Sequence, residues 1–491
     1  MAAMGAETIA GVALRAAVTA AAALLLAGAG PSAGRAAAQG LPAEIEAALQ
    51  RARVPAEALG LVVQEIGART PMVAHRAAVP MNPASVVKLL PSAVALDQLG
   101  PAWTWSTPVW LAGRTDANGV LDGSLHIKGG GDPKLVQERL WLLLRRVQQL
   151  GVREIRGDIV LDGSAFAVAD GTPADFDGEA TRPYNARPGA LLLNYRAVIY
   201  TFTPDAAAGV ARIGVEPPLA GFTVDRTVPL STGPCDDWAG GLKATFGPPR
   251  TRFAGSYPAA CGEQVWPLAD AQPATYDRRL IEGLWREMGG RLGGTVREGP
   301  APAEQKPTFE LRSPPLVEVV REINKFSNNV MAQQLTYTLA LQRQPERAAT
   351  AEAARDVLRR WWAERIGEWP ADAVIDNGSG LSRETRLSPQ MLARLLQVAW
   401  ESPWMPELMS ALPIAGMDGT LRRSRAGGAG GRAHLKTGSL RDVAARAGYV
   451  LSASGRRYVV VAIVNHPAAR DTRPLLDALV QWVLRDAPPA R

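Results

Sequence analysis

Residues 82–90 read Asn82-Pro83-Ala84-Ser85-Val86-Val87-Lys88-Leu89-Leu90. Asn82 is a favourable N-cap residue and Pro83 suits the first helical position, so a helix is predicted to begin here. The apolar residues that follow predict that this helix is buried. Ser85 then lies in the first turn, where its backbone N–H has no partner within the helix. Lys88 lies one turn further on, on the same face as Ser85.

A hydroxyl, a nearby amine and a free N–H are the parts of an acyl-transfer site. A serine hydroxyl is a weak nucleophile and needs an adjacent base to take its proton. A lysine can be that base if burial or a neighbouring cation lowers the pKa of its amine from about 10.4. Taken alone, a Ser-x-x-Lys pattern is more often a first-turn serine followed by a solvated lysine.

Two later motifs favour the catalytic interpretation. Ser327-Asn328-Asn329 is a Ser-x-Asn motif, and Lys436-Thr437-Gly438 is a Lys-Thr-Gly motif. Each of the three patterns occurs once, and two of only seven lysines lie in them. Ser327 alone could cap a helix, and Lys436-Thr437-Gly438 alone could end a strand. One shared site explains the three motifs together better than three separate structural roles do.

The composition is that of a globular protein with more than one domain. The chain has 491 residues, of which 47% are hydrophobic and 21% charged. A net charge of +7 fits a polyanionic environment such as a cell wall or nucleic acid. No compact basic run or interleaving of basic and aromatic residues supports nucleic-acid binding.

The N-terminus resembles a secretion signal. Arg15 precedes an apolar run over residues 16–28, and Ala36-Ala37-Ala38 follows at a suitable distance. We therefore predict a signal peptide over residues 1–38, cleavage near Ala38 and export. The apolar run is too short to span a bilayer, and no later stretch reads as a membrane span. The basic segment is thin, so an uncleaved anchor is the alternative.

The two cysteines, Cys235 and Cys261, are predicted to form a disulfide, because an even pair in an exported protein favours one. The alternative is two free thiols. Both lie far from the three motifs in sequence, which indicates a structural role.

A Ser-His-Asp hydrolase is the rival mechanism, so the four histidines need testing as bases: His75, His126, His434 and His466. The only Gly-x-Ser-x-Gly match, residues 30–34, lies in the predicted signal peptide with no strand before it. His434 is two residues from Lys436, and strand alternation would put both on one face. No His-Glu-x-x-His motif or cysteine cluster indicates a metal, and we expect no cofactor.

The order of predicted elements indicates an α+β fold. Strands over 59–67 and 72–75 precede the Ser85 helix, helices dominate 315–411, and strands over 434–464 return before a final helix. This order predicts a domain whose sheet is built from both ends of the chain. Ser85 and Ser327 are 242 positions apart, which is too long for a loop and requires an insertion.

We predict the following division of the chain. After the signal peptide, residues 39–100 and 308–491 form the catalytic domain. Residues 101–307 form one or two inserted β-rich domains, with a nested subdomain around 190–265.

The three motifs, their order and the long insertion resemble the low-molecular-mass class C penicillin-binding proteins, the D-alanyl-D-alanine carboxypeptidases/endopeptidases of peptidase family S13. The resemblance runs from about residue 45 to about residue 485. Four further stretches agree with that family: residues 129–133, 183–186, 376–383 and 436–442. The resemblance implies a serine β-lactamase/transpeptidase-like domain, an antiparallel sheet with helices, interrupted by nested smaller domains.

The resemblance also implies roles for the motif residues. Ser85 would be the nucleophile, Lys88 its general base and Ser327 the proton donor to the leaving nitrogen. Asn329 would hydrogen-bond the substrate amide or Lys88, and Lys436 and Thr437 would bind the terminal carboxylate. The backbone N–H groups of Ser85 and Ser439 would stabilise the oxyanion. Gly438 would let the strand edge approach the substrate backbone.

The implied substrates are peptidoglycan stem peptides, with β-lactams as covalent inhibitors, in the periplasm or at the cell wall. The sequence leaves the balance of carboxypeptidase and endopeptidase activity open, and a homo-oligomer is compatible with it. A β-lactamase is one alternative, which the long gap between the first two motifs disfavours. A non-catalytic peptidoglycan-binding protein on the same fold is another, which the intact Lys88 and Ser327 disfavour.

Overall fold

The computed structural model describes residues 40–247, 249–426 and 428–486. The predicted signal peptide lies outside these residues. No helix in the described part of the chain combines the length and apolarity needed to cross a bilayer.

The described residues form the following α-helices: α1 Ala43–Ala52, α2 Leu89–Gln98, α3 Gln137–Gln149, α4 Trp238–Gly241, α5 Pro273–Glu287, α6 Leu316–Lys325, α7 Asn329–Arg343, α8 Ala351–Arg365, α9 Pro389–Glu401, α10 Met405–Ala411 and α11 Arg473–Leu484. Short 3₁₀ helices cover Ala56–Ala58, Ala84–Lys88, Pro183–Asn185, Asn194–Arg196, Ala259–Cys261, Gly419–Leu421 and Ala469–Thr472.

The strands are β1 Leu59–Glu65, β2 Val73–His75, β3 Ser106–Thr115, β4 Val120–Lys128, β5 Glu154–Ile155, β6 Ile159–Asp162, β7 Ala197–Asp205, β8 Val210–Glu216, β9 Thr223–Val224, β10 Thr227–Ser231, β11 Ala244–Phe246, β12 Arg250–Phe253, β13 Tyr257–Pro258, β14 Gln264–Ala269, β15 Arg291–Leu292, β16 Val296–Glu298, β17 Phe309–Arg312, β18 Ala433–Leu440, β19 Val443–Leu451 and β20 Arg457–Asn465.

The sheet of the predicted catalytic domain, here called the catalytic sheet, has five strands in the order β18-β19-β20-β1-β2, and every neighbouring pair is antiparallel. The predicted α+β domain with a sheet from both ends of the chain is therefore confirmed. Strand β20 pairs with β1 from Leu59↔Val464 to Glu65↔Tyr458. Its near-continuous apolar sequence matches burial on both faces of the sheet.

The two faces of this sheet bury different cores. Val459, Val461 and Ile463 of β20 pack with the helices of the late middle of the chain, α2 and α6–α10. The alternate residues Val460 and Ala462 pack against α1 and α11. Strand β18 lies at the edge of the sheet, next to the 3₁₀ helix Ala84–Lys88.

The long gap between the first two motifs contains three further sheets. A seven-stranded sheet has the order β15-β5-β4-β3-β17, and its two other strands extend it, because β6 pairs with β4 and β16 pairs with β6. A five-stranded sheet has the order β13-β10-β8-β7-β14. A three-stranded sheet, β11-β12-β9, completes the set. Helices α3 and α5 share a hydrophobic cluster with strands of these sheets.

Strand β17 pairs with β3, for example Phe309↔Val109, and so completes the inserted sheet. Sequence reasoning assigned residues 308–312 to the catalytic domain, because this pairing is not visible in the local pattern. On this pairing we propose that the insertion ends at Arg312 rather than at 307. We likewise propose that the nested subdomain follows its five-stranded sheet, from Ala197 to Ala269.

A disulfide joins Cys235 to Cys261 within this nested part, with an S–S distance of 2.08 Å. It ties the segment before α4 to the 3₁₀ helix Ala259–Cys261. Both residues lie in the insertion, apart from the motif residues in the fold.

The predicted helix after Asn82 begins differently from what we expected. A 3₁₀ helix, Ala84–Lys88, precedes α2, and Ala84 has a left-handed φ of 46°. The Asn82 side chain accepts the Ala84 N–H at 2.9 Å, which forms a turn instead of a regular N-cap.

Asp97 connects three helical segments at the far end of α2. Its carboxylate accepts the indole N–H of Trp361 at 2.8 Å and that of Trp404 at 3.0 Å, and Arg365 donates to both oxygens at 3.0 Å. Burial acts to raise the pKa of Asp97, but these hydrogen bonds outweigh it and lower the pKa. The carboxylate therefore stabilises the fold above its unfolded-state pKa, and this contribution is lost as pH falls through its folded-state pKa.

We predict that Asp97→Ala lowers the free energy of unfolding by about 3 kcal/mol near neutral pH, because it leaves a guanidinium and two indole donors without their acceptor. Urea denaturation measures this change. The exposed Asp372→Ala serves as the control and should change stability by less than about 0.5 kcal/mol. Equal effects of the two substitutions, or an Asp97 effect that does not shrink in acid, would contradict the role assigned to Asp97.

Candidate active site

The segment that carries Ser85 is fixed to the end of the catalytic sheet. The backbone N–H of Asn82 donates to Asn465 Oδ1 at 2.8 Å, and Asn465 Nδ2 donates back to the Asn82 carbonyl at 2.9 Å. Asn465 ends β20, so this reciprocal pair positions the 3₁₀ helix relative to the sheet. The left-handed φ of Ala84 indicates local backbone strain directly before Ser85.

The Lys88 amine is fully buried and lies within hydrogen-bond distance of three oxygens. Its Nζ is 2.8 Å from Ser85 Oγ and 2.6 Å from Asn329 Oδ1, and it donates to the Ser379 carbonyl. The oxygens of Asn329 and Ser379 can only accept hydrogen bonds. They can take the two N–H groups of a neutral amine, which leaves its lone pair for the Ser85 hydroxyl.

The electrostatics favour this neutral form. Burial lowers the pKa of Lys88 well below its usual value, and the positive charge of Lys436 lowers it further. The pKa of Lys436 falls to about 7 through burial alone. The two amines disfavour each other's charge, and we assign the neutral form to Lys88 because its partners besides Ser85 are two acceptor-only oxygens.

The second cluster joins the other two motifs. Lys436 Nζ donates to Ser327 Oγ at 2.9 Å and to the Thr437 carbonyl at 2.7 Å. Ser327 has a left-handed φ of 60° between α6 and α7. The cap of α7 is Asn328, whose side chain accepts the Met331 N–H at 3.0 Å. Capping is therefore not the role of Ser327, and its hydroxyl faces Lys436.

Strand β18 brings the Lys-Thr-Gly motif against the segment that carries Ser85. A Cβ at Gly438 would lie 2.4 Å from the Pro83 carbonyl oxygen, which no side chain could tolerate. The glycine thus permits close packing of the strand on the Ser85 segment, whereas sequence reasoning attributed it to the approach of substrate. Thr437 is half-buried and Ser439 is exposed on the same strand.

Sequence reasoning missed the role of the Ser379 carbonyl. Its loop is braced by Asn377, whose Oδ1 accepts both the backbone N–H of Ser379 at 3.0 Å and its hydroxyl at 2.8 Å. Gly380 has a φ of 78°, and a Cβ there would lie 2.1 Å from the Ala84 carbonyl oxygen. A backbone carbonyl has no signature in the sequence. The available signals were the glycines around Ser379 and the agreement of residues 376–383 with the S13 family.

The histidines do not supply the base of a Ser-His-Asp site. In the described residues the hydrogen-bond partners of Ser85 Oγ are Lys88 and the Ser379 carbonyl. His75 contacts the Ala56 carbonyl at 2.9 Å. His434 is half-buried on β18, and burial lowers its pKa. Among the described residues there is no group of three or more His, Cys, Asp or Glu side chains that could hold a metal ion.

Comparison with known proteins identifies relatives over nearly the whole chain. A D-alanyl-D-alanine carboxypeptidase of Actinomadura sp. is 28% identical over 448 residues, which cover 86% of this chain and 80% of the relative. The crystal structure of penicillin binding protein 4 (dacB) from Haemophilus influenzae superposes with a TM-score of 0.71 at 22% identity. This alignment covers 89% of this chain and 99% of that chain. The complex of the same protein with a β-lactam gives a TM-score of 0.67, also at 22% identity, with the same coverage of both chains.

The structural likeness shows a shared fold. The family match is more specific, because it extends over residues 41–485 and includes all three motifs. The chain therefore belongs to the D-Ala-D-Ala carboxypeptidase 3 (S13) family.

Proposed function

We propose that this protein is a serine-type D-Ala-D-Ala carboxypeptidase that hydrolyses peptidoglycan stem peptides through an acyl-enzyme on Ser85. The observation that carries the proposal is the buried Lys88 amine, which lies 2.8 Å from Ser85 Oγ and has two acceptor-only oxygens as its other partners. Family membership and the activity named for the Actinomadura relative support it.

Acylation begins when Ser85 Oγ attacks the carbonyl carbon of the penultimate D-alanine and Lys88 takes its proton. The N–H groups of Ser85 and Ser439 stabilise the oxyanion; losing one such donor typically costs about 3 kcal/mol. Ser327 gives its proton to the nitrogen of the terminal D-alanine as the C–N bond breaks. Lys436, 2.9 Å from Ser327 Oγ, can return a proton to Ser327.

Deacylation uses the same groups with water as the nucleophile. The proton that Lys88 took from Ser85 is first released to restore the protonated Lys436, so Lys88 is neutral again. Lys88 then takes the water proton, the ester bond breaks, and that proton passes to Ser85 Oγ, which recovers its hydroxyl. An amine in place of water would give transpeptidation. Asn329 hydrogen-bonds both Lys88 and the substrate amide. The charged Lys436 and the Thr437 hydroxyl bind the terminal carboxylate of the substrate.

A β-lactam enters the same mechanism as a substrate mimic. Ser85 opens its strained amide, and the leaving nitrogen stays attached to the acyl group, which favours slow release. The β-lactam complex of the Haemophilus influenzae protein supports this expectation. Penicillin would therefore be a covalent inhibitor, and a β-lactamase would differ only in fast deacylation.

Export to the periplasm or cell wall is part of the proposal, because peptidoglycan lies outside the cytoplasm. The disulfide between Cys235 and Cys261 supports it, since such bonds persist in oxidising compartments. DD-endopeptidase activity on cross-linked peptides would use the same acyl-enzyme and depends on access to the cleft.

The direct test is D-alanine release from a stem pentapeptide ending in D-Ala-D-Ala. We predict that Ser85→Ala lowers kcat by at least roughly 10³-fold, because no other group can form the acyl-enzyme. The exposed Ser410→Ala is the matched control and should retain activity. Turnover that survives in Ser85→Ala would refute the mechanism, and a wild-type protein that binds peptidoglycan without turnover would favour the non-catalytic alternative.

The pH dependence of acylation by penicillin tests the pairing of the two lysines. Because Lys88 must be neutral, the rate should rise as pH rises through its lowered pKa. Lys436→Gln removes a neighbouring positive charge, so the pKa of Lys88 should rise and the acid limb should move to higher pH. The exposed Lys306→Gln should leave the limb in place. An unmoved limb in Lys436→Gln would show that the two amines are not coupled.

A further inference from the structure

A short turn next to the Lys-Thr-Gly strand has no role in the mechanism above. Residues 413–421, here called the Thr420 turn, include the 3₁₀ helix Gly419–Leu421. Thr420 Oγ1 lies 2.8 Å from Thr437 Oγ1, and Thr420 is exposed. One hydrogen bond therefore separates Thr420 from the side chain that binds the terminal carboxylate in the proposed function.

The Thr420 turn is fixed by an ion pair with a nearly buried lysine. Lys325 Nζ lies 2.5 Å from Asp418 Oδ2, and the Lys325 side chain is only 3% exposed. Asp418 Oδ1 also accepts the Ile414 N–H at 2.7 Å, which closes the turn. Lys325 ends α6 two residues before Ser327, so the ion pair links the Thr420 turn to the Ser-x-Asn motif.

Backbone contacts fix the same turn to β18. The Leu435 N–H donates to the Pro413 carbonyl at 2.9 Å, and the Ala415 N–H donates to the Ala433 carbonyl at 3.0 Å. Gly419 has a φ of 53°, and a Cβ there would lie 2.5 Å from the Lys325 carbonyl oxygen. The Thr420 turn is thus attached both to Lys325 at the end of α6 and to β18, and these two attachments fix the position of the Thr420 hydroxyl.

Proton count sets the direction of the Thr420–Thr437 hydrogen bond. Each hydroxyl has one proton to donate and can accept on its oxygen. A carboxylate is an acceptor only, so Thr437 must use its proton on the carboxylate when substrate is bound. The hydrogen bond between the two threonines then runs from the Thr420 O–H to Thr437 Oγ1. Donors in series polarise one another and strengthen the terminal hydrogen bond.

We propose that Thr420 is a positioning residue for recognition of the substrate's terminal carboxylate: its hydroxyl donates to Thr437 Oγ1 and so directs the Thr437 proton at that carboxylate. This inference rests on the proposed function and adds a specificity determinant to it. Without Thr420, the Thr437 hydroxyl is free to rotate away from the substrate.

The experiment compares kcat/KM for D-Ala-D-Ala pentapeptide with a free terminal carboxylate and for the same peptide with a terminal carboxamide. The enzymes are the wild-type chain, Thr420→Val, Thr420→Ser, Thr437→Val and the double valine variant. Thr227→Val, at an exposed position in the inserted part, is the control. Melting curves of all variants report any loss of folding.

We expect Thr420→Val to lower kcat/KM for the free acid by roughly tenfold, mainly through KM, and to leave the carboxamide unchanged. Thr420→Ser, which keeps the hydroxyl, should restore the preference for the acid. The double variant should be no worse than Thr437→Val, because Thr420 acts through Thr437. The comparison of the double variant with Thr437→Val requires kcat/KM for the free-acid peptide only.

Equal losses on both peptides, or no loss in Thr420→Val, would overturn the inference, and so would additive losses in the double variant. Each of these results leaves the wild-type carboxypeptidase activity intact and therefore leaves the proposed function standing. A wild-type protein that releases no D-alanine from the free acid would instead overturn the proposed function, and this inference with it.

Discussion

Two buried lysine amines in one candidate site are the constraint on which the rest of the site depends. A buried charge is strongly disfavoured unless it is paired, and within the described residues neither Lys88 nor Lys436 hydrogen-bonds to a carboxylate. The two amines cannot both be charged at low cost, so one of them gives up its proton. We assign this loss to Lys88, whose pKa is lowered by burial and by the positive charge of Lys436. In the proposed mechanism, the Ser85 hydroxyl thereby gains a base without a histidine.

This electrostatic arrangement requires precise backbone packing from distant parts of the chain. Lys88 comes from the segment after β2, Asn329 from the start of α7 and Lys436 from β18, and the Ser379 carbonyl comes from a separate loop. Glycines at 380 and 438 allow their segments to approach the Ser85 segment where any side chain would collide. The catalytic sheet, built from both ends of the chain, holds these parts together, while the insertion leaves the sheet intact.

The sequence predicted those candidate site residues whose proposed roles depend on side-chain chemistry. Ser85, Lys88, Ser327 and Lys436 could be recognised because their residue types and order limit the chemistry they can perform. The Ser379 carbonyl could not be recognised from the sequence, since every residue has a carbonyl. Thr420 could not be recognised either, since its contact with Thr437 depends on a turn fixed by tertiary packing. The same reason applies to the fold. Most helices and strands could be predicted from local periodicity, but the pairing of β17 with β3 depends on a long-range contact. The 3₁₀ start of the Ser85 helix depends on the turn that the Asn82 side chain forms with the Ala84 N–H.

The neutral state of Lys88 can be measured directly by NMR titration of protein labelled with ¹³Cε-lysine. The chain has only seven lysines, so resonances can be assigned by single substitutions. The account predicts that the Lys436 resonance titrates near 7 and that a second resonance, which disappears in Lys88→Met, also titrates far below the usual lysine range of about 10.4. It also predicts that Lys436→Gln moves this titration to higher pH. A Lys88 resonance that titrates in the ordinary lysine range would contradict the central claim that this amine is the base for Ser85.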